Sequence, residues 1–270
     1  METSGENHLE KLTISKIEHT KIGIISLNSQ KNLNALSKAL IDEIIGILED
    51  FKTKKITCVI LKAEPNKHKV WSAGHDIKEL PVSGRDPLGY YDQLETLLRA
   101  IQKFPAPVIA SIHGSVWGGA CDLIMTCDIV VGDLSSSFAI TPVKIGIPYN
   151  ASGISHFINR IGLNQAKEMF FTAKPIHSEL ALEWGIINRI VRDEELDNYV
   201  MDMALNITKH SPLSIEVIKE QFRILTNAYP ISPEAFERIQ GLRQKVYESE
   251  DYQEGINAFL EKRPPDFKGK

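Results

Sequence analysis

Cysteine is scarce. The chain holds three, Cys58, Cys121 and Cys127, an odd number with no CxxC pair, which excludes a small disulfide-stapled scaffold and suits buried thiols in a reducing cytoplasm. An excess of positive charge is lacking too: Lys and Arg number 31 against 35 Asp and Glu, and no long basic run interleaves with aromatics. Nucleic acid is therefore not an expected partner. No apolar run approaches the ~20 residues of a membrane helix. The opening METSGENHLEKLT has neither the basic-then-apolar order of a secretory signal nor the Arg-rich character of a transit peptide. The expectation is a cytoplasmic protein with no membrane partner. A GxSxG elbow is missing, and the apolar stretch KIGIISLN is not followed by GxGxxG, which argues against a serine hydrolase and a dinucleotide enzyme. His68 and His75 lack the helical spacing of a metal pair, and no carboxylate completes a ligand set nearby, so no metal is expected.

What is present is alternation. KIGIISLN (Lys21 to Asn28) and TCVILKAE (Thr57 to Glu64) are short, apolar and β-branched, so they read as buried strands. Between them, Leu36, Leu40, Ile41, Ile44, Ile45 and Leu48 recur at roughly helical spacing over Ala35 to Phe51. The pattern repeats with PVIASIHG, the helical candidate GGACDLIMTC and DIVVGD. This predicts an α/β domain over residues 1–195. Residues 196–270 read as a helical appendage, with N-cap signals at Ser211-Pro212 and Ser232-Pro233. Its apolar faces need a partner, either the first domain or another copy of the chain.

Two glycine turns carry the chemistry. After the strand ending near Lys62, the chain runs into WSAGHDIKEL, where Gly74 permits an unusual backbone angle and Asp76 can cap the turn. After the strand ending near Ile112, GSVWGG enters a helix with Gly119 in its first turn, so the Gly119 amide is an orphan donor. The amides of His75 and Gly119 can converge on one oxygen, and the helix N-terminus strengthens the second. Such an oxyanion hole stabilises developing negative charge without reorganisation. Glycine spacing alone is weak evidence, since turns need glycine anyway.

The wider pattern is more specific. LNAL (Leu33 to Leu36), SAGHDIKEL, KFPAPVIASIHGSVWGGACDL, FAITPVKIGIP and FLEKRPPDF, in this order over almost the whole chain, resemble the crotonase family of acyl-CoA enzymes. The resemblance implies a spiral of repeated ββα units and a C-terminal helical region that builds a homotrimer or a dimer of trimers. It also implies a thioester held by the amides of His75 and Gly119, with Ala73, Gly74, Asp76 and Ile77 around it. On this reading the His75 imidazole is a bystander or a packing element.

Two departures redirect the chemistry. Family hydratases add water with two glutamates. One lies where this chain has the shorter Asp122; at the place of the other, a gapless match on VKIG puts Pro142. Proline moves no protons, so hydration lacks half its machinery. A 2-carboxyacyl thioester needs no base, because loss of CO2 leaves the enolate directly. ELPVSGRDPL, GSVWGGA, TPVKIGIPYN and EDYQEGINAFLEKR are similar to a decarboxylating branch of the family. That similarity implies methylmalonyl-CoA as substrate, with Tyr149 orienting the leaving carboxylate, Thr141 close by, and Lys262 on the coenzyme A portion. No cofactor is expected, coenzyme A being part of the substrate. Ordinary roles compete: a buried tyrosine is usually an anchor, a threonine before proline a turn residue, and a lysine in an EKR run solvated surface. The rival functions are a hydratase or isomerase of the same family and a non-catalytic acyl-CoA-binding protein.

Overall fold

The strands of this chain divide between two sheets. The computed structural model describes residues 12–81, 86, 88–227 and 231–270. Most of METSGENHLEKLT, and Val82, Ser83, Gly84, Arg85 and Pro87 of ELPVSGRDPL, lie outside them. The strands are β1 (Thr13–Glu18), β2 (Ile22–Leu27), β3 (Cys58–Ala63), β4 (Val70–Ser72), β5 (Val108–Ile112), β6 (Ser115–Trp117), β7 (Ile129–Asp133), β8 (Ser137–Ala139), β9 (Ile176–His177) and β10 (Arg189–Val191). The large sheet has the order β1-β2-β3-β5-β7-β10 and the small one β4-β6-β8-β9. Pairing is parallel except at β1–β2 and β8–β9. From β3 to β8 each pair of strands lays one in the large sheet and the next in the small sheet, and returns through a helix. The repeated ββα units implied by the resemblance are thus present.

The helices are α1 (Lys38–Thr53), α2 (Gln93–Lys103), α3 (Gly119–Thr126), α4 (Ala151–Ile161), α5 (Leu163–Thr172), α6 (Ser178–Trp184), α7 (Leu196–Ile207), α8 (Pro212–Thr226), α9 (Pro233–Tyr247) and α10 (Glu250–Leu260). The alternation of β3 explains why both sheet faces are covered. Val59 and Leu61 join the main core with α1 and α2, while Cys58 and Ile60 join a second core beneath Leu196, Val200 and Ala204 of α7. Full burial of an aliphatic side chain of this kind stabilises by about 1.5–3 kcal/mol.

The expected helix over Ala35 to Phe51 starts later. Ser37 caps α1 by accepting from Leu40 N. Leu36 instead forms an isolated bridge with His75, its amide donating to Gly74 O at 2.7 Å. Leu36 fits the helical spacing by side chain, but its backbone is already paired with the 74–76 loop. In the C-terminal region Ser249 caps α10 and breaks the long helical run after Tyr247. Arg243 ties α9 to Asp86 through two hydrogen bonds of 2.5 Å.

In the small sheet, Val70 pairs with Ser115 and Ser72 with Val116, so two residues of β4 oppose one of β6. This is a bulge at Trp71. The indole is fully buried, and its Nε1 donates to Ser111 O at 2.9 Å.

Candidate active site

The LNAL segment splints the loop that carries His75. Asn34 Nδ2 donates to Trp71 O (2.9 Å) and Ala73 N to Leu33 O (2.9 Å). Gly74 N donates to Ser72 Oγ (3.3 Å) and Asp76 N to Leu36 O (3.4 Å). The amides on both sides of His75 are therefore occupied, whereas that of His75 donates to no acceptor among the described residues. Asp76 Oδ1 accepts from Lys78 N and caps the short turn Ile77–Glu79. Gly74 has φ +85°, a left-handed value that favours glycine.

The second turn is built alike. Gly118 (φ +53°) donates to Ala139 O at 2.8 Å, and Gly119 opens α3 with no acceptor for its amide among the described residues. The two turns touch: a methyl group on Gly74 would lie 3.0 Å from Gly119 N, and one on Gly119 would lie 3.5 Å from His75 N. Two free amides thus stand side by side, one of them at a helix N-terminus.

Both turns open on a cleft of ≈ 480 Å³, its mouth included. Ala73, His75, Ile77, Gly119, Thr141 and Tyr149 all line it, as does Pro142. Leu80, Leu88, Leu94, Ile145 and Ile147 make the rest of its wall apolar. No carboxylate lines it among the described residues. Lys262 is not brought to the cleft; it lies exposed beyond the end of α10. Trp117 is 45 % exposed and does not line the cleft.

Asp122 stands behind Tyr149, fully buried on α3. Tyr149 Oη donates to Asp122 Oδ2 at 3.1 Å, and His156 Nδ1 lies 2.7 Å from Oδ1. Burial pushes the Tyr149 phenol far up, and the charge of Asp122 pushes it further, so the phenol keeps its proton. Burial lowers His156, but its hydrogen bond to Asp122 and the charges of Asp122 and Glu95 outweigh this and raise it. The next residue, Asn150, pins Tyr149 in place: it caps α4 through Gly153 N and donates to Glu95 Oε1 at 2.5 Å. Burial raises the Glu95 carboxyl, and hydrogen bonds from Asn150 and Ser152 partly offset that. Sequence reading missed His156, Glu95 and Gln102, whose contacts cross between helices and leave no local pattern.

Outside the cleft, His113, Asp133 and Asp193 group closely enough to hold an ion. The buried Asp133 is, however, already engaged by Ser135, Ser136 and His113.

A two-sheet ββα spiral that sets a pair of free amides in an apolar cleft defines an acyl-transfer or enolate-forming enzyme scaffold. The chain belongs to the enoyl-CoA hydratase/isomerase family, whose model matches residues 18–270. It is 48% identical over 256 residues to the methylmalonyl-CoA decarboxylase of Escherichia coli (strain K12), covering 95% of this chain and 98% of that one. A solved structure described as methylmalonyl-CoA decarboxylase in complex with 2-nitronate-propionyl-CoA superposes with a TM-score of 0.93 at 47% identity, covering 96% of this chain and 99% of the other. A probable mitochondrial enoyl-CoA hydratase of Dictyostelium discoideum is 30% identical, covering 93% of this chain and 88% of its own.

Proposed function

We propose that this protein decarboxylates a 2-carboxyacyl-CoA thioester, methylmalonyl-CoA to propionyl-CoA and CO2, through an enolate held by the amides of His75 and Gly119. The observation that carries this reading is the make-up of the cleft: two free amides adjoin it, and no carboxylate lines it among the described residues. Hydration needs two proton-transferring groups, and at the place of one stands Pro142. The likeness to the Escherichia coli decarboxylase, at 48% identity, supports the same conclusion.

The bond between C2 and the carboxylate breaks, and its electron pair becomes the C1–C2 double bond of the enolate. The thioester oxygen takes the negative charge and both amides donate to it. One such donor is worth about 2.7–4 kcal/mol of barrier lowering. CO2 departs, and a proton from water at C2 restores the thioester. Thr141 and the Tyr149 ring hold the carboxylate out of the thioester plane, where its bond overlaps the carbonyl π system. Ala73, Gly74, Asp76 and Ile77 shape the turn under the thioester, and Lys262 meets the coenzyme A portion. The carboxylate supplies its own electrons, so the reaction uses no metal or further cofactor.

The assembly is a homotrimer or a dimer of trimers. In support, α8 buries none of its residues and exposes Leu213, Val217, Ile218, Phe222 and Leu225. Among the described residues no helix is long and apolar enough to cross a membrane. Three buried free cysteines suit a cytoplasmic setting.

The test is incubation with methylmalonyl-CoA or crotonyl-CoA, followed by mass analysis. Propionyl-CoA and CO2 from the first, with no hydration of the second, is the expected result. Hydration of crotonyl-CoA with no CO2 would establish the hydratase instead, and binding without turnover the non-catalytic protein.

A further inference from the structure

Behind the wall of the cleft, three side chains are joined through one carboxylate. Asp122 receives Tyr149 Oη–H on Oδ2 (3.1 Å) and faces His156 Nδ1 with Oδ1 (2.7 Å). On the far side of the imidazole, Gln102 Nε2 lies 3.0 Å from His156 Nε2. A glutamine amide donates through nitrogen to a neutral imidazole or, turned over, accepts from an imidazolium, so it serves both charge states. In each state Nδ1 keeps a hydrogen for Asp122. His156 does not line the substrate cleft; it borders a separate cavity with Met125, Asn159 and Lys219.

A phenol has one hydrogen. Committed to Asp122, it is withheld from any carboxylate in the cleft, which then meets only oxygen lone pairs at Tyr149. The commitment depends on Asp122 keeping Oδ2 turned to the phenol, and the hydrogen bond from His156 to Oδ1 fixes that orientation. Asp122 is fully buried, and His156 grips the oxygen that Tyr149 does not use, so without His156 the carboxylate is free to turn and let go of the phenol hydrogen.

We propose that His156 is a positioning residue for decarboxylation: by donating to Asp122 it keeps the Tyr149 hydrogen turned away from the leaving carboxylate, so that the substrate's charge is not stabilised before CO2 departs. The inference rests on the decarboxylation reading of the cleft. Stabilising the carboxylate in the bound substrate, but not in the transition state where its charge has moved to the enolate, raises the barrier. Release of the phenol hydrogen therefore tightens substrate binding and slows turnover together.

The test is His156→Leu, with kcat and KM for methylmalonyl-CoA and Kd for propionyl-CoA measured after circular dichroism shows the fold retained. The expected result is a fall in kcat of about tenfold with a parallel fall in KM, the signature of lost ground-state destabilisation. Kd for propionyl-CoA, which has no carboxylate, stays unchanged. His156→Asn, whose amide still donates to Asp122, keeps near wild-type kinetics. In a Tyr149→Phe background His156→Leu has no further effect, because the hydrogen it controls is gone. If the leucine variant does not fold, the isosteric Asp122→Asn makes the same test: its amide donates to Tyr149, and kcat and KM fall together. A fall in kcat with KM unchanged or raised overturns the proposal, as does an equal fall in both backgrounds. Absence of CO2 production by the wild type fails the decarboxylation reading and this inference with it; a normal wild type with either of those mutant results fails the inference alone.

Discussion

The carbonyl oxygen of Trp117 occupies the space where a side chain on Gly74 would begin. A methyl group there would overlap that oxygen and crowd Gly119 N at 3.0 Å, and the backbone φ of +85° is itself unfavourable for any other residue. Both obstacles are backbone, so neither yields as a flexible side chain would. Gly74→Ala is expected to destabilise the fold by about 3 kcal/mol from strain and overlap combined. Denaturant unfolding measures it. A variant as stable as the wild type would show that the two turns can separate.

Gly119→Pro removes one proposed donor to the enolate oxygen. Proline is tolerated at the first position of a helix, and the nearest obstacle to a Cβ there is the flexible end of Leu94. The fold should therefore survive while kcat drops roughly 10²–10³-fold. Near-normal turnover by a folded variant would remove Gly119 from the oxyanion site.

His75→Ala keeps the amide and deletes the imidazole. Its Nδ1 is buried without a hydrogen-bond partner, so no hydrogen bond at that atom is lost with the ring. The expected loss in kcat is much smaller than for Gly119→Pro. Equal losses, read in the same assay, would promote the imidazole to a reacting group.

Asp133 provides a pH test away from the cleft. Burial pushes its carboxyl up, but hydrogen bonds from Ser135, His113 and Ser136 outweigh this and hold it below the ordinary 3.8. A carboxyl with a lowered folded pKa contributes stability that is complete above the unfolded value and lost as pH falls through the folded one. Asp133→Asn should therefore cost about 2 kcal/mol at neutral pH. The gap between wild type and variant should narrow below about pH 4, as followed by thermal unfolding at several pH values. A gap that stays constant to low pH would deny Asp133 this role.

Legibility followed length. β2, β3, β5 and β7 are continuous β-branched runs buried on both faces, and such runs are visible in sequence. The small sheet is built from strands of two or three residues, too short for any periodicity to register. Leu36 was misassigned for a related reason: its spacing to Leu40 and Ile44 is helical, yet a backbone bridge to the 74–76 loop claims it. The amide turns were partly legible because glycines mark them. The Tyr149–Asp122–His156 contacts were not, since they arise where α3 and α4 pack, and packing partners leave no mark in either segment alone. Lys262 shows the converse, a motif position that lies exposed and does not line the cleft.

The bulge at Trp71 sets which peptides can cooperate. Because it absorbs one residue, Ser72 rather than Trp71 stands across from Val116, and counting onward along both strands brings His75 level with Gly119. Were the bulge ironed flat, the ladder would slip by one and Gly74 would take that place. The Gly74 amide already donates to Ser72 Oγ, so the slipped chain would present a spent donor. The spacing of the two free amides is thus a matter of phase between two very short strands, clamped by one buried indole. The proposed chemistry at His75 and Gly119 accordingly depends on a tryptophan that does not line the cleft.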